Sequence, residues 1–165
     1  MQFTLAAPIL ERVKMQYQQF EIEPMTENDL ESVARIESQS GLNNWGIENY
    51  KSELKRNDSF LYTAKLDQET VGFVFARLIT PEVEIFNIAV IDEHKKKGIG
   101  KKLFEQLLEK ATENDCQKCW LEVRESNQTA RKFYEKLKFQ IVGRRKNYYQ
   151  FPIEDALLLE CIINK

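Results

Sequence analysis

Metal-ligating side chains are scarce: the 165 residues include one histidine, His94, and three cysteines, Cys116, Cys119 and Cys161. Cys116-Gln117-Lys118-Cys119 has C-x-x-C spacing, yet a structural zinc site needs two more ligands, and only Cys161 and His94 remain to supply them. A redox pair belongs at the start of a helix, where the dipole lowers the thiol pKa. This one falls where a helix ends and a strand begins, so free thiols and no metal are expected. Prolines are few, at four, and no Pro/Ser-rich linker or internal repeat marks a second domain. No apolar run approaches the roughly 20 residues that cross a bilayer. Residues 1–17 are apolar in places but lack a basic start, and Pro8 and Glu11 interrupt them; a cytoplasmic location is therefore expected. A net charge of −2 supplies no global basic field, which leaves neither nucleic acid nor a membrane as an expected partner. With 42% hydrophobic and 30% charged residues, the chain has the make-up of one ordinary soluble domain.

What is present centres on Ile85 to Leu108. The run from Ile85 to Ile91 is short, apolar and β-branched, and predicts a strand buried on both faces. A lysine-loaded loop with Gly98 and Gly100 follows. Ile99, Leu103, Leu107 and Ala111 then repeat at the four-residue steps of a helix with one buried side. A glycine turn between strand and helix suits a phosphate, because glycine permits close backbone approach and the first helical N–H groups have no partner inside the helix. Lys95, Lys96, Lys97, Lys101 and Lys102 add positive charge there. The Walker loop is excluded, since Lys95 stands in place of its first Gly and Lys102 in place of its Ser/Thr. The dinucleotide fingerprint is excluded too, because Leu103 occupies the place of its third Gly.

Taken in order, residues 1–19 show no clean period and are expected to form an extension, with a single domain over 20–165. Phe20–Pro24 predicts a strand, and Thr26 with Asp29 a near capping box ahead of a helix carrying Leu30, Val33, Ile36 and Glu37 and stopped by Gly41. A second short helix over 47–54, a hairpin from Ser59–Leu66 and Val71–Ile79, the central strand and the long helix follow. Lys118–Arg124 is a strand with Cys119, Leu121 and Val123 on one face and Trp120, Glu122 and Arg124 on the other. The two strands flanking the long helix should be parallel. A helix from Ser126 with Ala130, Phe133, Tyr134 and Leu137 and two last strands, around 140–149 and 156–163, give the order β-α-α-β-β-β-α-β-α-β-β. Such an order predicts an α/β (α+β) fold with a mixed sheet of about seven strands and helices on both faces.

Three polar residues stand out. Glu122 is a carboxylate in mid-strand, readable as a partner of Arg124, an exposed sheet position or a functional group. Tyr134 lies on the apolar stripe of its helix, where a core tyrosine is the plain alternative. Asn127 reads as a local helix cap.

N-I-A-V, K-x-x-G-x-G, W-L-E-V-R-x-S-N-x-x-A, F-Y-x-x-L-x-F and R-R-K-N-Y-Y with E-D-A resemble the GNAT acetyltransferases. Within them they resemble the branch that acetylates the N-terminal alanine of a small-subunit ribosomal protein in bacteria. The resemblance covers about 20–163. It implies the GNAT fold, acetyl-CoA as co-substrate and a protein N-terminus as partner. Main-chain groups of Ile88, Ala89 and Val90 would then bind the pantetheine arm. The loop of Lys96, Lys97, Gly98, Ile99, Gly100 and Lys101 would hold the pyrophosphate, with Asn127 on the cofactor. Glu122 would be the general base and Tyr134 the general acid. Tyr148 and Tyr149 are candidates to close over the peptide, and Glu82 and Glu84 to favour a basic one. Three departures from the family pattern are Lys95 in the place of Gln or Arg, Asn44-Trp45-Gly46 in the place of Pro-Trp-Ser, and a segment after Tyr149 about two residues short. A GNAT enzyme for another amine (lysine side chain, polyamine or small molecule) and a non-enzymatic binding module are the alternatives.

Overall fold

The computed structural model describes residues 20–42 and 44–163; the expected extension, residues 1–19, lies outside them. The strands are β1 (Glu21–Pro24), β2 (Ser59–Leu66), β3 (Glu69–Ile79), β4 (Glu82–Val90), β5 (Lys118–Arg124), β6 (Gln140–Gln150) and β7 (Ile153–Ile162). The α-helices are α1 (Leu30–Gln39), α2 (Ile47–Glu53), α3 (Ile99–Glu113) and α4 (Gln128–Lys136), in the expected sequence of strands and helices. The seven strands form one mixed sheet in the order β1-β2-β3-β4-β5-β7-β6, with β4 and β5 parallel and the other pairs antiparallel.

Local signals account for most element ends. The Thr26 N–H donates to Asp29 Oδ2 at 2.8 Å, completing the capping contact, although the first turn is 3-10 and the α-helix starts at Leu30. Asp67 and Gln68 both take left-handed φ values, 49° and 68°, as a two-residue hairpin turn requires. The last helix begins at Gln128 rather than Ser126: Asn127 is its cap, with Oδ1 accepting from the Ala130 N–H at 3.0 Å.

Two cores sandwich the sheet. On one face α3 buries Ile99, Leu103, Phe104, Leu107 and Ala111, and α4 adds Tyr134, against Val83, Ile85, Leu121 and Val123. On the other, α1 and α2 bring Val33, Ile36 and Tyr50 onto Phe73 and Phe75. Leu103 and Leu107 are fully buried, so truncating either to alanine costs about 2–5 kcal/mol. All three cysteines are buried free thiols, with Cys119 opposite Cys161 across β5 and β7.

The central strand departs from the expectation of burial on both faces. Along β4, buried Val83, Ile85 and Asn87 alternate with half-buried Glu84, Phe86 and Ile88. The cause lies in its neighbours. Phe86 is an extra residue in the β3 ladder, where Phe75 pairs with Asn87 and Ala76 with Ile85. The β5 ladder ends at the Ile85–Leu121 pair.

Candidate active site

That ladder end shapes the site. From Phe86 onward, β4 pairs with β3 alone among the described strands, while β5 continues to Arg124 paired with β7. The two parallel strands part, and the β5-facing main-chain edge of Ile88, Ala89 and Val90 is left for an extended ligand to pair with. The turn below it leads from β4 into α3. Gly98 caps α3 with φ 87°, a left-handed conformation that side chains resist. The first helical hydrogen bond is Lys102 N–H to Gly98 O, so the amides of Gly98, Ile99, Gly100 and Lys101 point out of the helix start as a ready anion site. Lys96 is also left-handed, with φ 62°.

Two features of this turn were not legible in the sequence. Gly100 is not left-handed; a β-carbon there would lie 3.2 and 3.3 Å from the Phe133 ring, so the residue is small because α4 crosses close by. The lysine charge is also partly neutralised: Lys95 pairs with Asp92 at 2.5 Å, and Lys101 and Lys102 with Glu105 at 3.3 and 3.1 Å. Backbone donors, more than side-chain charge, make this site. Asn127, at the start of α4, uses its Oδ1 for the helix, which leaves its amide nitrogen as the group to offer a ligand.

Glu122 and Tyr134 lie on opposite faces of the sheet beside the opening. Glu122, on the α1–α2 face, pairs with Arg145 (Oε1 to Nε, 3.0 Å) and not with Arg124, which pairs with Glu154 at 3.3 Å and lies 4.0 Å from the centroid of the Tyr149 ring. The Glu122 side chain is 14% exposed and that of Arg145 50%, so the guanidinium can swing away at little cost. Tyr148 lies beside the pair, with its ring centroid 5.6 Å from the Arg145 guanidinium, and the Glu122 carboxylate, with burial, raises the phenol pKa. Burial and then the Glu122 charge push Tyr149 up to about 12. Tyr134, on the α3–α4 face, packs against Phe133 and Phe139 with ring centroids 5.3 and 5.4 Å away. Burial raises its phenol well above the ordinary tyrosine range, so it keeps its proton at neutral pH.

The two acidic residues expected to attract a peptide separate. Glu82 pairs with Lys118 at 3.2 Å, at the closed end of the β4–β5 ladder and away from the opening. Glu84 lies near Glu122, and burial followed by the Glu122 charge raises its carboxyl above the ordinary range, against the guanidiniums of Arg77 and Arg145. Sequence reading undervalued this second carboxylate, because only the strand register puts it beside the first.

A buried network was missed as well. Glu37, fully buried in α1, accepts from Tyr50 Oη at 2.7 Å, Asn87 Nδ2 at 2.8 Å and the N–H of Trp45 at 3.1 Å. It ties the loop before α2 to β4 just beyond the bulge. Trp45 of that loop packs edge-on against Phe75 and Phe86, with Arg77 5.5 Å from its ring centroid. A signal existed: Glu37 occupies the next step of the stripe formed by Leu30 and Val33, where a lone carboxylate needs partners. Of the three departures, the short segment after Tyr149 proves to be a tight turn at Phe151-Pro152, with Gln150 paired to Ile153.

The chain matches the acetyltransferase (GNAT) family model over residues 30–139. The ribosomal protein bS18-alanine N-acetyltransferase of Haemophilus influenzae is 36% identical over 141 residues, covering 82% of this chain and 93% of that protein. The crystal structure of the ribosomal-protein-S18-alanine N-acetyltransferase from Escherichia coli superposes with a TM-score of 0.79 at 26% identity, covering 89% of this chain and 96% of that one. Arabidopsis thaliana NAA60 shares the fold at 20% identity, with a TM-score of 0.80 over 89% of this chain and 100% of its own, and was crystallised with acetyl-CoA. Parted parallel strands above a glycine-capped helix are thus found in a chain whose relatives are named N-acetyltransferases: it belongs to the GNAT acetyltransferase family and is an acetyl-CoA-dependent N-acetyltransferase.

Proposed function

We propose that this chain transfers the acetyl group of acetyl-CoA to the α-amine of an N-terminal alanine of a small-subunit ribosomal protein. The observation that carries the reading is the opening between β4 and β5, with Glu122 on one face of the sheet and Tyr134 on the other. The names of the Haemophilus influenzae and Escherichia coli relatives support the substrate. The catalytic unit is residues 20–165, with 1–19 as an extension, acting in the cytoplasm. Among the described residues no helix is long and apolar enough to cross a membrane.

In this reading the main chain of Ile88, Ala89 and Val90 pairs with the pantetheine arm. The amides from Lys96 to Lys101 hold the pyrophosphate, and Asn127 offers its side-chain nitrogen. The peptide enters on the face of Glu122, under Tyr148. An α-amine has a pKa of about 7.7–8.0, so a fraction is already neutral at pH 7, and Glu122 takes the remaining proton directly or through one water. The free amine attacks the thioester carbonyl, whose oxygen a β4 main-chain N–H can stabilise. As the carbon–sulfur bond breaks, Tyr134 donates its proton to the leaving sulfur. Transfer is direct; the buried cysteines are on the other side of β5 from Glu122 and take no part.

Proton energetics favour an α-amine. A lysine amine, with pKa about 10.4, is neutral roughly 300-fold less often at pH 7. The test uses one basic peptide beginning with alanine, free and N-blocked, each with an internal lysine. Acetylation should fall on the free N-terminus and vanish from the blocked peptide. Equal acetylation of the blocked form would move the activity to lysine side chains, and failure on both with acetyl-CoA bound would move it to a small amine.

A further inference from the structure

We propose that Asp155 is a positioning residue: by gripping a bulge in β6 it sets the Tyr148 hydroxyl against Glu122. The register defines the bulge. Arg145 pairs with Ala156 and Tyr149 with Glu154, so Lys146, Asn147 and Tyr148 all face Asp155 alone. Asn147 is left-handed, with φ 53°, a conformation in which asparagine is tolerated and most side chains are not. A bulge of this kind re-aims side chains, and here the Tyr148 ring lies 5.6 Å from the guanidinium of Arg145, which itself pairs with Glu122 at 3.0 Å.

Gln150 Nε2 donates to the Asn147 carbonyl at 3.1 Å from within β6, while Asp155 grips the bulge from β7. Its Oδ1 accepts from the Asn147 N–H at 2.8 Å, and its Oδ2 from Arg144 Nη1 at 3.1 Å. Arg144 also donates to Glu125 at 2.6 and 3.0 Å, and the Glu125 N–H donates to the Asp155 carbonyl at 3.2 Å. The bulge is therefore fastened to the turn that follows β5, at Glu125, three residues beyond Glu122. Neighbouring Glu154 holds the same turn from its other side, accepting from the Ser126 N–H at 2.5 Å and Arg124 at 3.3 Å. The Asn147 amide and Arg144 keep the Asp155 carboxyl below its ordinary range, so it is charged at every working pH.

The inference rests on the peptide side being the face of Glu122, and its test separates the two. Tyr148 is followed by NMR of ζ-13C-tyrosine protein, assigned with Tyr148→Phe, without any substrate. The titratable and charged groups that face its phenol are Glu122, Arg145 and Glu84, with the Tyr149 ring centroid 5.1 Å away. In Asp155→Ala the Tyr148 phenol should titrate at lower pH as it moves away from Glu122. The KM for the alanine peptide should rise about tenfold while the dissociation constant for acetyl-CoA stays unchanged. Asp155→Asn retains an Oδ1 acceptor for Asn147 but loses the Oδ2 acceptor for Arg144, and should shift the titration less than alanine does. The inference is overturned if Tyr148 titrates identically in folded Asp155→Ala. Should the alanine variant not fold, Asp155→Val, which removes both acceptors and keeps strand propensity, serves instead, and an identical Tyr148 titration in it overturns the inference equally. A wild-type protein that acetylates no alanine peptide would instead sink the functional reading, and the titration would still decide the role of Asp155.

Discussion

Gly98 and Gly100 sit two residues apart in the α3 turn, yet the structure makes them glycine for different reasons, and alanine at each should fail differently. At Gly98 no atom lies within 4 Å of a β-carbon, but φ is 87°. Alanine there meets only the backbone penalty of the left-handed region, about 1–2 kcal/mol, which the turn relieves by changing conformation and moving the amides off the pyrophosphate position. At Gly100 the backbone is ordinary and the obstacle is the Phe133 ring, at 3.2 and 3.3 Å. Overpacking of that kind costs about 1–3 kcal/mol. Urea unfolding with and without acetyl-CoA separates the cases, since ligand at 100 times its dissociation constant should add about 2.7 kcal/mol to wild-type stability. Gly98→Ala should lose most of that gain, and Phe133→Leu should not restore it. Gly100→Ala should lose stability without ligand and regain it in the Gly100→Ala/Phe133→Leu double variant, with a coupling of about 0.5–3 kcal/mol. Full acetyl-CoA stabilisation in Gly98→Ala would refute the pyrophosphate assignment, and strict additivity at Gly100 would refute the packing argument.

Other outcomes follow from the site. Glu122→Gln should lower turnover and recover part of it as pH rises, because the amine then loses its proton unaided; Tyr134→Phe should lower turnover by about 10²-fold without that recovery. An unchanged rate in Tyr134→Phe would leave it a core residue. The Glu84 carboxyl is raised by burial and by Glu122, so its contribution to stability is present below the ordinary glutamate pKa, about 4.3, and lost as pH rises through the folded value. Glu84→Gln should therefore raise the Tm at neutral pH and change it little in acid; no gain at neutral pH would refute the strain assigned to the pair. Asp29 has the opposite sign. Burial alone would raise its carboxyl, but Thr26, Lys65 at 3.2 Å and Thr70 at 3.0 Å hold it low, so its stabilisation is present above about pH 3.9 and lost as pH falls through the folded value. Asp29→Asn should destabilise by about 1.5–3 kcal/mol at neutral pH, a gap that urea titrations should find closing in acid.

Sequence periodicity located every described strand and α-helix to within a few residues, because each carries its own signal: alternation in β2 and β5, four-residue steps in α3, and capping residues at Thr26 and Asn127. It also located the glycine turn, since a strand, two glycines and an amphipathic helix are contiguous. The partner of Glu122 was not legible. Arg124 is two residues away in the chain and lies on the same side of the strand, whereas Arg145 arrives from the edge strand by way of β7. The β4 bulge was hidden for a similar reason, being a property of the β3–β4 register and not of the β4 sequence.

The sequence by itself determined which segments are strands or helices, which side of each is apolar and where unpaired amides emerge at the start of α3, since these depend on residues a few positions apart. Only the tertiary structure decided where the parallel strands part, that Glu84 stands beside Glu122, and that Asp155 grips the β6 bulge ahead of Tyr148. Those relations join residues from strands distant in sequence. Their strengths are set by register and burial, which no single segment carries.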